Sequence, residues 1–266
     1  MAAYQIIRPT GNVVPVVVSV PHCGTSFPEE LKDQFAGHHT ISPDDTDFFV
    51  DRLYGFVPAM GITLIRAVYS RYVIDLNRDP QSKPLYTDGR IITGLCPTTT
   101  FLGEPLYRDK RQHVAAEDVE MRLQQYYWPY HLQLQQLLAE IKEEYGEVLL
   151  WDCHSIRQQV PTIQPEKFPD LILGDADGSS AGSKFIHVAL DQLSSSRYSL
   201  QHNHPFKGGY ITRQYGRPAD KQHALQLEMT KVNYMNDTET EYDHARAARM
   251  QLLLKNVFDS LINELL

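Results

Sequence analysis

The chain has 266 residues, a formal charge of -8 and an apolar fraction of 42%. That length suits one large α/β domain or two small ones, and the apolar fraction is enough for a sizeable core. The negative balance argues against nucleic acid or an anionic membrane as partner, although local arginines can still form a pocket for a small anion.

The three cysteines, Cys23, Cys96 and Cys153, are an odd number. A disulfide framework is therefore not expected, and a reducing compartment is. The first residues lack a basic region followed by a long apolar one, and no stretch approaches the ~20 apolar residues of a membrane span. The cytoplasm is the expected location.

In chain order, residues 5–20 read as a hairpin, with Ile6 and Ile7 on one strand, residues 13–18 on the other, and Gly11-Asn12 at the turn. The run Val16-Val17-Val18-Ser19-Val20 has the composition of a buried strand, and Pro21 ends it because proline cannot donate to a ladder. His22 then stands just past the carboxyl end of the strand, beside Gly24. In open α/β sheets that rim gathers ligands and catalytic groups. A short helix is expected over 29–35. Ser42 or Asp44 can cap a second helix over 42–54, whose acidic start (Asp44, Asp45, Asp47) exceeds what capping needs.

Residues 62–65 read as a parallel-type strand and 72–76 as a third strand, ending in Asn77-Arg78. Residues 81–105, rich in Pro, Gly and Thr, read as a flap near the site. Helices follow over 108–127 and 129–145. Pro129 stands in the tolerated first turn of the second, and Leu132, Leu134, Leu137, Leu138 and Ile141 form its apolar stripe. The next strand, 148–151, runs out into Asp152-Cys153-His154-Ser155. Further on come a strand at 171–173, a helix at 183–193, a loop at 202–209 whose His202 and His204 suit loop or substrate contacts better than a metal, a strand at 210–212, a strand at 224–229 carrying Glu228, and a final helix over 241–265. No repeat or linker interrupts the chain, so one domain over 1–266 is expected.

Two strand-end histidines far apart in sequence can cap their own strands or face each other across one rim, where they would suit a divalent metal. A catalytic zinc takes three protein ligands and keeps a position open for water. His22 and His154 provide two, and Asp44, Asp45 or Asp47 the third. A carboxylate that does not bind the metal must move the water proton, and Glu228 is the candidate. Arg71, Arg78 and Arg213 lie where they could grip a carboxylate.

Six blocks carry a family resemblance: Ser19-Val20-Pro21-His22-Cys23-Gly24-Thr25; residues 45–54, beginning Asp45-Thr46-Asp47; Arg71-Tyr72-Val73-Ile74-Asp75-Leu76-Asn77-Arg78-Asp79-Pro80; Trp151-Asp152-Cys153-His154-Ser155; residues 205–213, with Gly208, Gly209 and Arg213; and Leu225-Gln226-Leu227-Glu228-Met229. In that order the chain resembles the N-formylglutamate amidohydrolases. The resemblance implies an α/β, zinc-carboxypeptidase-like (phosphorylase/hydrolase-like) fold with a mixed central sheet and helices on both faces. It implies hydrolysis of N-formyl-L-glutamate to formate and L-glutamate, a late step of histidine degradation, with Zn2+ or another divalent transition metal.

The wider likeness to zinc carboxypeptidases implies His22 and His154 as ligands, Asn77-Arg78 as the substrate-carboxylate pair and Glu228 as base. Carboxypeptidases place a Glu three residues after the first His. Here that residue is Thr25, so the carboxylate ligand moves to Asp47, with Asp44 and Asp45 as alternatives. In the mechanism this suggests, Arg71 assists the oxyanion, while Arg213 and the Gly208-Gly209 backbone close round the far end of the substrate. Other readings are an amidohydrolase for another N-acyl amino acid such as an acyl-aspartate, a non-catalytic binding module on the same fold, and a cysteine hydrolase using Cys153.

Overall fold

Runs of β-branched and aliphatic residues form the centre of the molecule. A computed structural model describes residues 2–85 and 93–266. The elements in chain order are β1 (Tyr4–Ile7), β2 (Val16–Val20), α1 (Glu29–Lys32), α2 (Gly37–Ile41), α3 (Val50–Leu53), β3 (Thr63–Ala67), α4 (Ala116–Arg122), α5 (Trp128–Tyr145), β4 (Val148–Ile156), β5 (Leu171–Gly174), α6 (Ser183–Ser194), β6 (Leu200–His202), α7 (Tyr210–Tyr215), β7 (Gln222–Thr230) and α8 (His244–Leu265). A π-helical turn, Leu123–Tyr127, joins α4 to α5.

Among the described residues the strands form one mixed sheet in the order β1-β3-β2-β4-β7-β5-β6. Strands β3, β2, β4 and β7 are mutually parallel, whereas β1 runs antiparallel to β3 and β5 antiparallel to β7. Strand side chains alternate between faces. Val16, Val18, Leu149, Trp151, Cys153, Leu225 and Leu227 pack on one face with α3, α6 and α8. Val17, Leu150 and Ala224 pack on the other with α5 and α7. The mixed sheet with helices on both faces agrees with the fold class expected above.

On the α5 face the strands change character along their length. Val17 gives way to Ser19, Leu150 to Asp152 and His154, and Ala224 to Gln226 and Glu228. The chain leaves β2 for β3 on one side, while β4 lies on the other. Opposite departures of neighbouring connections open a crevice at the carboxyl ends of the strands. His22 and His154 flank that crevice.

Several expectations are corrected. Strand β1 does not form a hairpin with β2; it pairs with β3, with Ile6 opposite Ile65. The alternately half-buried and exposed β1 suits a sheet edge, whereas β2, buried at every position, requires the centre. The acidic run 44–47 is not a helix start. Ser42 closes α2, Phe49 takes a left-handed backbone with φ 63°, and helix resumes only at Val50. The helix expected over 29–35 is shortened to Glu29–Lys32, and that over 108–127 begins at Ala116. Leu132 leaves the stripe and is exposed on α5. Residues 210–212 belong to helix α7, not to a strand.

Residues 72–76 are a buried series of turns rather than a strand. Buried backbone must find hydrogen-bond partners, and here side chains supply them. Arg122 Nη1 donates to the Val73 carbonyl, His131 Nε2 to that of Leu76, and the Tyr127 hydroxyl to that of Arg78. Of the expected flap, residues 86–92 lie outside the described residues, and Leu85, Thr93 and Phe101 border the crevice.

Candidate active site

The crevice encloses about 90 Å³, and its wall includes His22, Asp47, Arg71, Asn77, Arg78, His154 and Glu228. The ligand atoms of His22, Asp47 and His154 lie within 4.8 Å of one another, and all three residues are buried. Asp47 Oδ2 is 3.7 Å from His22 Nδ1 and 3.4 Å from His154 Nδ1.

Each imidazole is oriented from behind. His22 Nε2 donates to Asp75 Oδ1 at 2.8 Å, and His154 Nε2 donates to Asp152 Oδ2 at 2.9 Å. A carboxylate acceptor holds a proton on Nε2 of each ring, so each ring turns its Nδ1 toward Asp47. His22 Nδ1 and both Asp47 oxygens are buried without a hydrogen-bond partner. Leaving such atoms unmatched costs on the order of 1–3 kcal/mol each. Two convergent imidazole nitrogens and a carboxylate, with His22 Nδ1 and both carboxylate oxygens unmatched, fit a tetrahedral divalent metal with an open fourth position. Asp44 and Asp45 do not compete for this role. Asp44 pairs with Arg157, and Asp45 Oδ2 accepts the Phe101 N–H.

The titration of these groups follows from burial and neighbouring charge. Burial, aided by the Arg71 charge, pushes His22 down to about 4, so the imidazole is neutral at neutral pH. Burial also disfavours charge on His154, but the Asp152 and Asp47 carboxylates outweigh it and hold that imidazole well above its ordinary value. Asp47 resists the upward push of burial and stays below the usual carboxylate range because of the same two imidazoles. The proton of the pair therefore resides on His154, and a divalent cation would displace it.

Glu228 stands directly beside His154. The two are in register on parallel β7 and β4, hence on the same face. Its carboxyl is pushed up to about 8, chiefly by burial, with Asp47 adding and His154 opposing. A carboxylate with a raised pKa beside a water-activating centre is suited to proton transfer near neutral pH.

The remaining sequence-derived residues divide. Arg71 Nη2 donates to Asp75 Oδ2 at 2.6 Å, and its guanidinium lies 4.8 Å from the Phe101 ring centroid. Arg78 lies on the wall and is anchored to Thr93 through Nε and Nη2. The Asn77 side chain is under Gly209, accepts the Ile211 N–H at 2.8 Å, and has Nδ2 3.0 Å from His154 Nε2. The Oδ1 bond ties α7 to the turn that carries Asn77 and Arg78. Gly209 lines the cavity, and a Cβ there would stand 2.2 Å from Asn77 Nδ2.

Gly208 and Arg213 are not among the described residues that line the cavity. Gly208 turns at φ 102° against Thr212, and Arg213 is exposed on α7 with Nε bonded to the Gly208 carbonyl. Cys153 points to the opposite face, into the core beside Trp151, and burial raises its thiol pKa well above normal. It cannot form a nucleophile–base pair with His154. His202 bonds Asp175, away from the crevice.

Asp75 was not singled out from the sequence, yet it is the hub of the site. Oδ1 accepts from His22 and from the Asn77 N–H, and Oδ2 accepts from Arg71 and lies 3.8 Å from Arg78 Nη1. Asp152 was missed too, although its position two residues before His154 on a strand places both on one face. Behind it, Ser19 Oγ donates to Asp152 Oδ1 and lies 3.0 Å from the Tyr130 hydroxyl.

The family model described as N-formylglutamate amidohydrolase matches residues 14–235. The chain belongs to the N-formylglutamate amidohydrolase family. Within the family, the N-formylglutamate deformylase of Pseudomonas putida is 37% identical over 255 residues, covering 94% of this chain and 92% of that protein. The N-formylglutamate deformylase of Pseudomonas aeruginosa is 36% identical over 252 residues, covering 94% and 93%. The crystal structure of N-formylglutamate amidohydrolase from Ralstonia eutropha JMP134 superposes with a TM-score of 0.80 at 26% identity, covering 98% of each chain. A gene product of Agrobacterium tumefaciens, 15% identical, shares the fold with a TM-score of 0.75, covering 98% of this chain and 96% of that one. No helix among the described residues is long and apolar enough to cross a membrane.

Proposed function

We propose that this chain hydrolyses N-formyl-L-glutamate to formate and L-glutamate, with zinc held by His22, Asp47 and His154. The observation that carries this reading is the convergence of two carboxylate-backed imidazoles and an unmatched buried carboxylate beside Glu228, in a chain 37% identical to a deformylase. Zinc is favoured over harder cations by the two-nitrogen, one-carboxylate donor set. The cytoplasm suits three unpaired thiols.

Bound there, zinc would supply Lewis acidity that acidifies water and polarises a carbonyl. The protein's own groups do the rest. Glu228, once ionised, takes a proton from the attacking water as the new C–O bond forms at the formyl carbon. It returns that proton to the amide nitrogen as the C–N bond breaks, releasing the amine of glutamate. Arg71, held by Asp75 on the cavity wall, offsets negative charge that develops on the formyl oxygen. Arg78, with Asn77 beside it, is the cation on the wall for a substrate carboxylate.

The test is metal content measured with formate release from N-formyl-L-glutamate, before and after chelation. Near-stoichiometric zinc and release that falls on chelation and returns with metal are expected. In Glu228→Gln, release should fall by roughly 10²–10⁴-fold with metal content unchanged. Near-normal turnover in that variant would remove Glu228 as the base.

A further inference from the structure

A second, smaller cavity adjoins the active site. It encloses about 10 Å³, room for roughly one oxygen-sized group, and shares Phe101, Ser155 and Ile156 with the larger one. Lys231 lies on its wall, one residue beyond β7, so the strand that carries Glu228 also delivers this ammonium.

Lys231 is only 3% exposed. Buried ammonium groups are normally matched by a carboxylate or several acceptors. Among the described residues the Lys231 ammonium has one hydrogen bond, to the Asp44 carbonyl at 3.3 Å, and lies 5.7 Å from the Phe48 ring centroid. Both acids on this wall are engaged elsewhere: Asp44 with Arg157, and Asp45 with the Phe101 N–H. Arg71 pairs with Asp75 at 2.6 Å, and Arg78 lies 3.8 Å from the same carboxylate. Of these three cations, Lys231 is the one with no carboxylate at ion-pair distance among the described residues.

We propose that Lys231 takes the second carboxylate of a dicarboxylic substrate and so sets the preference for an acidic over a neutral amino-acid side chain. The inference rests on the functional reading above and adds the residue that distinguishes glutamate from its neutral isostere. One substrate carboxylate is met by Arg78, and one oxygen of the other enters the small cavity to meet the ammonium.

The experiment compares formate release from N-formyl-L-glutamate and N-formyl-L-glutamine by the zinc-loaded chain and by Lys231→Met. The ratio of the two kcat/KM values is read, because a general loss of folding or metal lowers both and leaves the ratio in place. The wild-type ratio should strongly favour glutamate. In the variant it should fall roughly 10- to 100-fold, the size of one hydrogen bond between charged groups, with the loss in KM for glutamate. Lys231→Gln carries the same comparison if the methionine variant does not fold. An unchanged ratio, whatever the absolute rate, would overturn the proposal and leave Lys231 as a tether for the segment at Asp44. A wild-type chain that does not discriminate the two compounds would overturn it as well. Release from neither compound would instead bring down the functional reading, and this proposal with it.

Discussion

Replacement of Asp75 by asparagine tests the hub most directly. The side chain is wholly buried, and its two oxygens serve His22, the Asn77 N–H, Arg71 and Arg78. Asparagine keeps the shape and one carbonyl oxygen. With Oδ1 still accepting from His22 and Asn77, its NH2 group would face the Arg71 Nη2 donor. Arg71 is itself 6% exposed and would lose its carboxylate. Removing one partner of a buried ion pair costs roughly 3–5 kcal/mol.

With a urea dependence of about 2–3 kcal/mol per molar, the unfolding midpoint should fall by about 1–2 M. His22 would lose its anionic anchor, so zinc affinity should fall roughly 10- to 100-fold. Burial alone would raise the Asp75 carboxyl, but Arg71, Arg78 and His22 outweigh it and hold it well below the usual range. A depressed carboxylate contributes stability that is fully present above its unfolded value of ~3.9 and lost as pH falls through the folded value. The gap between wild type and variant should therefore be constant near neutrality and narrow in acid. Urea titrations across pH and a competitive zinc titration measure both effects. An unchanged midpoint with unchanged zinc affinity would refute the hub argument.

Two further outcomes follow from the same geometry. His154 carries the proton that a cation would replace, so calorimetric zinc titration at pH 7, in buffers of different ionisation enthalpy, should show about one proton released per zinc. No release would mean His154 is already neutral in the metal-free chain. Gly209→Ala should push Asn77 off the Ile211 N–H, costing about 1–3 kcal/mol of stability and lowering kcat/KM. Thermal unfolding and formate release check it, and a variant equal to wild type in both would show that the loop yields without cost.

The sequence by itself determined the pieces whose signals are local. The buried strand ending at Pro21, the strand running into His154 and the strand carrying Glu228 follow from composition and a period of two. The same period places Asp152 with His154, and Gln226 with Glu228, on one face. A family match extending along most of the chain was legible for the same reason, since its blocks are contiguous.

The tertiary structure decided what depends on residues distant in sequence. Strand β1 left its chain neighbour for β3 because only a sheet edge suits its exposed side. Residues 72–76 read as a strand because they alternate, and turn instead because Arg122 and His131 satisfy their backbone. Among three nearby acids, Arg157 and the Phe101 N–H take Asp44 and Asp45, leaving Asp47 unmatched between two imidazoles. Asp75 and Lys231 drew no notice as single letters. Each matters through burial and through partners supplied by other parts of the chain, and those are set only when the chain closes on itself.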